Sequence, residues 1–519
     1  MKNFRHTRFP VFKSSRQQGR LFAVLSVLAC LLLPSVGRAQ NDDWIIDDGW
    51  IDQSDIDSFK GAVKERYSNF RDSVNASFAR ALAGKWSPFA IKESEKPRKK
   101  PEPPAPAVYK DEERPPVRMS YAEPEPSEAS PSESKPVRIL PLPDNLLSEN
   151  YYDISFFNSR MRLRVPDASA LAACRLANSS EQAVAALWQQ LSDAGFALCI
   201  RDLLGQQKHR SLADWSLITM SRDLTLRIWH GDTNLCVIAT VYLLNQMEFD
   251  ARVGRIGDDF IVMVATDGKV YGRQSVTVDG RKYYIIPMSD QNRRYSGRVY
   301  SYEATMKGAE NPCSLVFAVS PRLNYTPSAK PYTYPIKDTV LSYAVNSNLV
   351  EFYKDYPFCD LAVYANSPVD SGFDDFIGRL IQPLIQGLDT RNSVQKMLYF
   401  VQFGFAYATD DQQFGCEKYF FCEENFFYPY NDCEDRSILF SYLVRRFTDL
   451  DVVLLEYEGH VATAVCFGNE TVDGDYFEID GRRYVVCDPT YEGAPIGKSQ
   501  PRYSNMSAKL IRLNALKKL

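Results

Sequence analysis

The sequence predicts an α+β protein made of tandem related units, each a cysteine-bearing helix packed on an antiparallel sheet, preceded by a helix and a disordered linker. Three observations carry that prediction. An apolar helical run opening near a cysteine occurs twice, at residues 236–244 and 433–444. Each is followed by strand patterns and a hairpin signal, Val278-Asp279-Gly280-Arg281 and Ile479-Asp480-Gly481-Arg482, because Asp-Gly suits a two-residue turn with positive φ. Ahead of both, residues 93–143 are rich in Pro, Glu, Lys and Ser and hold too few apolar side chains to bury a core.

A chain of 519 residues has room for about three domains. Residues 1–39 carry basic side chains ahead of the apolar run 21–33 and place Gly37 and Ala39 where a signal peptidase inspects, the pattern of an export signal. Cleavage after Ala39 is favoured over a lipoprotein box at Val27-Leu28-Ala29-Cys30, because Leu31, Leu32 and Leu33 continue the apolar core past that cysteine. The run is short for a span and no later segment reaches transmembrane length, so a periplasmic or secreted location is expected. Residues 40–92 are an acidic segment and an amphipathic helix. Its stripe of Ile56, Phe59, Val63, Tyr67, Phe70, Val74, Phe78 and Leu82 is expected to pack on the main body. Residues 93–143 are the linker, 144–297 the first unit, 298–347 a connecting β region of alternating runs, and 348–519 the second unit.

The units echo each other. The stretch from Asn145 to Asp167 matches Asn348 to Asp370, Cys236 and Asp250 match Cys433 and Asp451, and the two Asp-Gly hairpins coincide. This alignment sets Cys236 under Cys433. Where the second unit has Gly459-His460-Val461 the first has Asp258-Asp259-Phe260, and Pro287 falls at Asp488. Without a base, Cys236 is expected to stay a thiol and the first unit to be a degenerate, non-catalytic relative.

In the second unit a thiol, an imidazole and a carboxylate follow in order. Asn431 or Asp432 can cap a helix whose buried side is Ile438, Leu439, Tyr442 and Leu443, which puts Cys433 on the first turn. There the positive end of the helix dipole favours thiolate, the nucleophilic form. Residues 452–457 read as a buried strand and Glu458-Gly459 as a turn, so His460 opens the next strand; Asp488 leaves the hairpin 476–487 just before Pro489. A nucleophile on a helix N-terminus, with base and orienter on neighbouring strands, is a common division of labour. Asp435 reads as structural, a cap or a partner for Arg436, although a carboxylate so near a thiol raises its pKa.

In this order and context, Asp432-Cys433-Glu434-Asp435, Gly459-His460 before a strand, and Asp488-Pro489-Thr490 resemble the cysteine, histidine and aspartate signatures of the transglutaminase-like superfamily. The resemblance covers residues 387–497 and is greatest to secreted transglutaminase-like proteins of Bacteroidetes-type bacteria. It implies a papain-like cysteine-peptidase fold for the second unit, and a degenerate copy of it for the first. It also implies acyl transfer, or amide or peptide hydrolysis, through a Cys433 thioester with His460 as base and Asp488 as its orienter.

Composition narrows the alternatives. With 61 basic against 65 acidic residues and no basic aromatic stripe, nucleic acid is not an expected partner. His209, His230 and His460 are the histidines outside the leader and no Cys-x-x-Cys pair occurs, so neither a zinc site nor another metal or cofactor is expected. Cys416 and Cys422 are the better candidates for a disulfide. Cys466 shares a strand face with His460 while Cys487 points opposite to Asp488, so those two cysteines are not expected to meet. Aromatic residues in the connector 409–430 either line an acyl-substrate cleft or form a satellite of the core. The expected substrate is a protein or peptide, such as a cell-envelope peptide. The rival class is a non-catalytic envelope binding or scaffold protein carrying a relic triad.

Overall fold

The computed structural model describes residues 71–95, 106–111, 114–123, 150–289, 293–336 and 339–516. The expected export signal, the acidic segment and the first part of the expected amphipathic stripe lie outside the described residues. Its last part does pack on the body: in the helical residues 74–82, Phe78 meets Trp188 and Tyr302 with ring centroids 5.1 and 5.5 Å apart. Asn75 fixes the same contact, accepting from Trp188 Nε1 at 3.1 Å and from Gln246 Nε2 at 2.9 Å.

The chain is mixed α+β, and one arrangement occurs in two lobes. In the first lobe the strands run Ser275–Val278, Arg281–Ile286, Asp259–Val264, Ala251–Ile256 and Arg298–Ser301 across an antiparallel sheet; in the second, Tyr476–Ile479, Arg482–Cys487, His460–Cys466, Asp451–Tyr457 and Ala508–Arg512 take the same places. The registers agree as well. Asp259 pairs with Ile256 as His460 pairs with Tyr457, and Val262 pairs with Ile286 as Thr463 pairs with Cys487. Both Asp-Gly turns take the left-handed conformation the hairpin needs, Asp279 and Gly280 at φ 48° and 80°, Asp480 and Gly481 at 51° and 72°. Across each sheet lies a helix, Thr233–Gln246 or Cys433–Phe447. Their buried faces belong to one core shared by both lobes, and each sheet buries its other face in a core of its own.

Strand alternation holds as the sequence predicts. Val461, Val465 and Cys487 face the helix, whereas Ala462, Ala464 and Cys466 face the second lobe's own core, so Cys466 and Cys487 lie on opposite faces. The expected bridge is absent: all ten described cysteines are free, Cys416 on the surface and Cys422 buried at the start of the 3-10 turn Cys422–Phe426.

The alternating runs 298–304, 314–320 and 340–353 each read as a strand, and each differs. Arg298–Ser301 is the fifth strand of the first lobe rather than part of a connector, residues 314–320 form no strand, and the third run is a strand only to Tyr343 and helical from Ser347. What remains of the connecting β region is the hairpin Tyr332–Ile336 and Thr339–Tyr343, which lays Tyr332 on Phe426 (4.7 Å) and Tyr343 on Phe376 (4.7 Å). The echo of Asn145–Asp167 in Asn348–Asp370 also fails: Tyr151–Phe156 and Ser159–Arg164 form a hairpin, where the second stretch forms the helices Ser347–Asp355 and Leu361–Asn366. What the two stretches share is an aspartate ahead of a helix, Asp167 and Asp370, which is a local start signal.

Ser87–Lys92, inside the segment read as acidic stretch and amphipathic helix, is a strand, and the described parts of the linker after it are extended but docked. Ser87–Lys92 pairs with Arg298–Ser301 through its first residues and with Ser275–Val278 through its last, closing the first sheet into a barrel. Residues 117–122 join both edges of the second sheet in the same way. Val117 and Met119 exchange backbone hydrogen bonds with Tyr476, and Tyr121–Ala122 pairs with Ala508 and Lys509. Met119 enters the second core. Composition predicted an extended chain, and the short alternation Val117, Met119, Tyr121 is what lets it seat on a sheet edge. Among the described residues no single helix is long and apolar enough to cross a membrane.

Candidate functional site

Cys433 is the first residue of its helix. Asp432 precedes it in extended conformation as the cap, and Asp435 reaches back to accept the Asp432 amide at 3.3 Å. Asp435 also accepts the Phe420 amide at 3.0 Å, which bears out a structural role for it. Beneath the first turn the fully buried Arg436 donates to Asn431 Oδ1 and to the carbonyls of Gln402 and Phe405, so a cation sits within one turn of the thiol.

The helix docks on the sheet one residue beyond the histidine. The Val461 amide donates to the Cys433 sulfur at 3.4 Å, and Ser437, one turn along, donates to the Val461 carbonyl at 3.0 Å. His460 itself opens its strand after a turn in which Gly459 has φ 85°. Its ring stacks on Tyr503 (centroids 4.7 Å apart, planes 17°), and its Nε2 lies 2.9 Å from Asp488 Oδ2. Because a carboxylate only accepts, Nε2 carries a proton.

Asp488 is held by donors on both oxygens. Oδ1 accepts the amides of Thr490 (2.9 Å) and Tyr491 (3.2 Å); Oδ2 accepts His460 and Gln500 Nε2 (3.0 Å). Burial alone would raise this carboxyl, but the imidazole, the Thr490 amide and Gln500 together hold it below the ordinary aspartate value. Gln402, fully buried, ties the loop to the preceding helix by donating to the Asp488 and Ala494 carbonyls and accepting the Gly493 amide.

The structure thus joins His460 to Asp488 directly and brings the Cys433 sulfur to the residue that follows His460. The whole site is closed, with Cys433 5 %, His460 4 % and Asp488 2 % exposed. In this closed state the thiol donates to Glu434 Oε2 at 3.0 Å, and the ring's hydrogen-bond distances are to Asp488 and Gln500. The connector's aromatic residues Phe420, Phe421 and Phe426 are buried in the core rather than lining an open cleft.

Glu434, Gln500 and Tyr503 were not singled out by the sequence. Glu434 stood beside the thiol in plain view, whereas nothing local marks a glutamine twelve residues past Asp488 as its partner. Nor did histidine counting reach the acidic groups. Asp432, Cys433 and Glu434, and likewise Asp410, Glu417 and Glu434, bring donor atoms within 4.8 Å of one another, oxygen-rich sets suited to a hard cation. Protons meet the same need: burial first, then mutual repulsion, pushes the Asp410 and Asp435 carboxyls far above the ordinary range.

In the first lobe the same elements carry other side chains. The Asp232 cap puts Thr233, not Cys236, at the place of Cys433. The alignment of cysteine with cysteine therefore fails, because the cap aspartate sets where the helix starts. Cys236 lies nearly a turn deeper and donates to the Thr225 and Trp229 carbonyls; burial and Asp232 push its thiol up to about 12. Asp259 and Pro287 occupy the places of His460 and Asp488, as the hairpin alignment predicted.

The imidazole–carboxylate pair therefore lies one residue along the strand from the amide that meets the Cys433 sulfur: Val461 faces the Cys433 helix, whereas the His460 ring stacks on Tyr503 of the second lobe's own core. No family model, no curated protein and no solved structure matches the chain.

Proposed function

We propose that the chain is an exported thiol enzyme of the transglutaminase-like type, acting on a protein or peptide such as a cell-envelope peptide. The observation that carries this reading is the 2.9 Å His460–Asp488 contact next to a sulfur that accepts the Val461 amide. His460 Nδ1 takes the proton of Cys433, and the thiolate adds to a carboxamide or peptide carbonyl. The imidazolium then protonates the leaving amine as the C–N bond breaks to give a thioester. Water or an amine releases the acyl group and the thiol regains its proton. Asp488 holds the tautomer and stabilises the imidazolium. In this reading the lobes are tandem papain-like units, and the first is degenerate because Thr233, Asp259 and Pro287 stand where the three groups would be.

A second reading, a binding or scaffold protein with a relic triad, is favoured by the closure of the site and by the thiol's bond to Glu434. Labelling of Cys433 with a thiol-reactive acyl electrophile, compared between the wild type and His460→Ala, separates the two. A working site labels quickly and slows by orders of magnitude without the imidazole, whereas a relic labels slowly in both.

A further inference from the structure

Resting on the reading of His460 and Asp488 as the acid–base pair of Cys433, we propose that Arg114 is a positioning residue for that pair, acting from outside both lobes through Asp475, Ser499 and Gln500. Arg114 belongs to the segment ahead of the first lobe, more than three hundred residues from its partners in the chain. Its guanidinium grips Asp475 with both nitrogens, Nη1 to Oδ1 at 2.9 Å and Nη2 to Oδ2 at 2.5 Å. The same Nη2 reaches the Ser499 carbonyl (3.2 Å) and hydroxyl (3.1 Å). Ser499 in turn donates to Asp475 Oδ2 through its amide (3.0 Å) and its hydroxyl (2.6 Å). The next residue is Gln500, whose amide donates to Asp488 Oδ2 at 3.0 Å.

Each link has a physical cause. Asp475 is 1 % exposed, so its charge needs the arginine; burial would raise its carboxyl, but Arg114 and Ser499 hold it below the ordinary value. The planar fork suits a carboxylate in a way an ammonium does not. The loop bearing Gln500 lies tight against the two residues that lead into Asp475. A Cβ on Gly474 (φ 137°) would sit 2.2 Å from the Gly497 Cα, so that approach exists only between glycines. Gln500 Nε2 also lies 3.3 Å from His460 Nε2, and two donors cannot satisfy each other; both point at the one carboxylate oxygen, which fixes the imidazole proton on Nε2.

The same segment holds the other loop of the pair. The Glu492 amide donates to the Ala107 carbonyl (2.8 Å), the Tyr109 amide donates to the Glu492 carbonyl (2.8 Å), and the Tyr109 ring meets Tyr491 at 5.6 Å. Tyr491 is a backbone donor to Asp488. Both loops that orient Asp488 are therefore clamped by Ala107, Tyr109 and Arg114.

The test uses the full chain and the rate at which Cys433 is labelled by the acyl electrophile, with melting temperature as a folding check. Arg114→Leu and Gln500→Leu are each expected to slow labelling about tenfold. The double variant should be no slower than Gln500→Leu, because both changes act through one amide. Arg118→Leu, which removes an exposed ion pair of the same segment with Glu478, should leave the rate unchanged. An unaltered rate in folded Arg114→Leu, fully multiplicative losses in the double variant, or an equal loss in Arg118→Leu would each overturn the proposal. If Arg114→Leu does not fold, Arg114→Lys is read instead: an intermediate rate supports the proposal and a wild-type rate overturns it. Loss of the parent reading shows separately, as wild-type labelling that His460→Ala does not slow.

Discussion

The two lobes share strand order, register, both Asp-Gly turns and a helix laid across the same strands, yet they treat one amide differently. In the first lobe the Phe260 amide, at the start of the strand, donates to Asn234 Oδ1 at 2.9 Å; in the second the equivalent Val461 amide donates to the Cys433 sulfur at 3.4 Å. Each helix start must supply an acceptor for that amide. A carboxamide does it well, whereas sulfur is a weak acceptor, so the second lobe gives up hydrogen-bond quality to keep a thiol there. The scaffold comes from backbone pairing and apolar burial, which tolerate change at element ends. The three differing positions are such ends: a helix's first residue, a strand's first residue and a strand's exit.

The largest effects should fall on one lobe. Cys433→Ala should abolish labelling and any amide turnover, and Cys236→Ala should leave both nearly intact, since that thiol is buried, pushed up to about 12 and without a base. Equal losses in two folded variants would end the division of roles. Next in size, Asp488→Asn should lower turnover by about 10⁴-fold if the carboxylate sets the imidazole tautomer as it does in serine triads. Pro287→Ala, its counterpart, should not change turnover.

The comparison also shows what was legible in the sequence. The ends of the second lobe's four strands from Asp451 to Cys487 were readable to within a residue, because Val452 to Val465 are buried apolar runs broken by Glu458-Gly459, and because Asp480-Gly481 admits few turns; the fifth, Ala508–Arg512, was not read. His460 and Asp488 could be placed for that reason. Cys236 was misplaced because matching letters outweighed the cap at Asp232. The docked segment and Gln500 were out of reach: their partners lie across long stretches of chain, and contacts such as Arg114 to Asp475 leave no local period to read.

A smaller effect tests the closing strands. Met119 is 5 % exposed in the second lobe's own core, and Phe89 lies partly buried at the corresponding core of the first. Met119→Ala should cost about 2–3 kcal/mol, the low end for a buried methionine because the strand is at an edge. Denaturant unfolding should show that loss together with slower Cys433 labelling, whereas Phe89→Ala should lower stability and leave labelling unchanged. Parallel losses of labelling in both would mean that the closing strands do not act lobe by lobe.

The smallest effect concerns the acidic residues that only the second lobe places at its helix start, where Glu434 and Asp435 replace Asn234 and Leu235. Asp410 lies against them, 2 % exposed, with its carboxyl far above the ordinary value because of burial first and then Asp435 and Glu434. The unfolded chain releases that proton near pH ~3.9, while the folded protein keeps it. The stabilisation is therefore complete below that value and shrinks as pH rises toward the raised folded value. Asp475 and Asp488 run the opposite way. Their folded values are depressed, so their stabilisation is present above about pH 4 and is lost as pH falls through the depressed values. Asp410→Asn removes the first dependence alone, and the new side chain can still accept the Lys418 amide that reaches Asp410 Oδ2 at 2.7 Å. Melting curves should then agree within a degree or two near pH 4.5 and separate in favour of the variant near pH 8, by at most roughly 2–4 °C for each kcal/mol regained in a chain this long. A variant less stable than the wild type at pH 8 but not at pH 4.5 would show instead that Asp410 is ionised in the folded protein, balanced by a cation such as Lys418 or a bound metal ion.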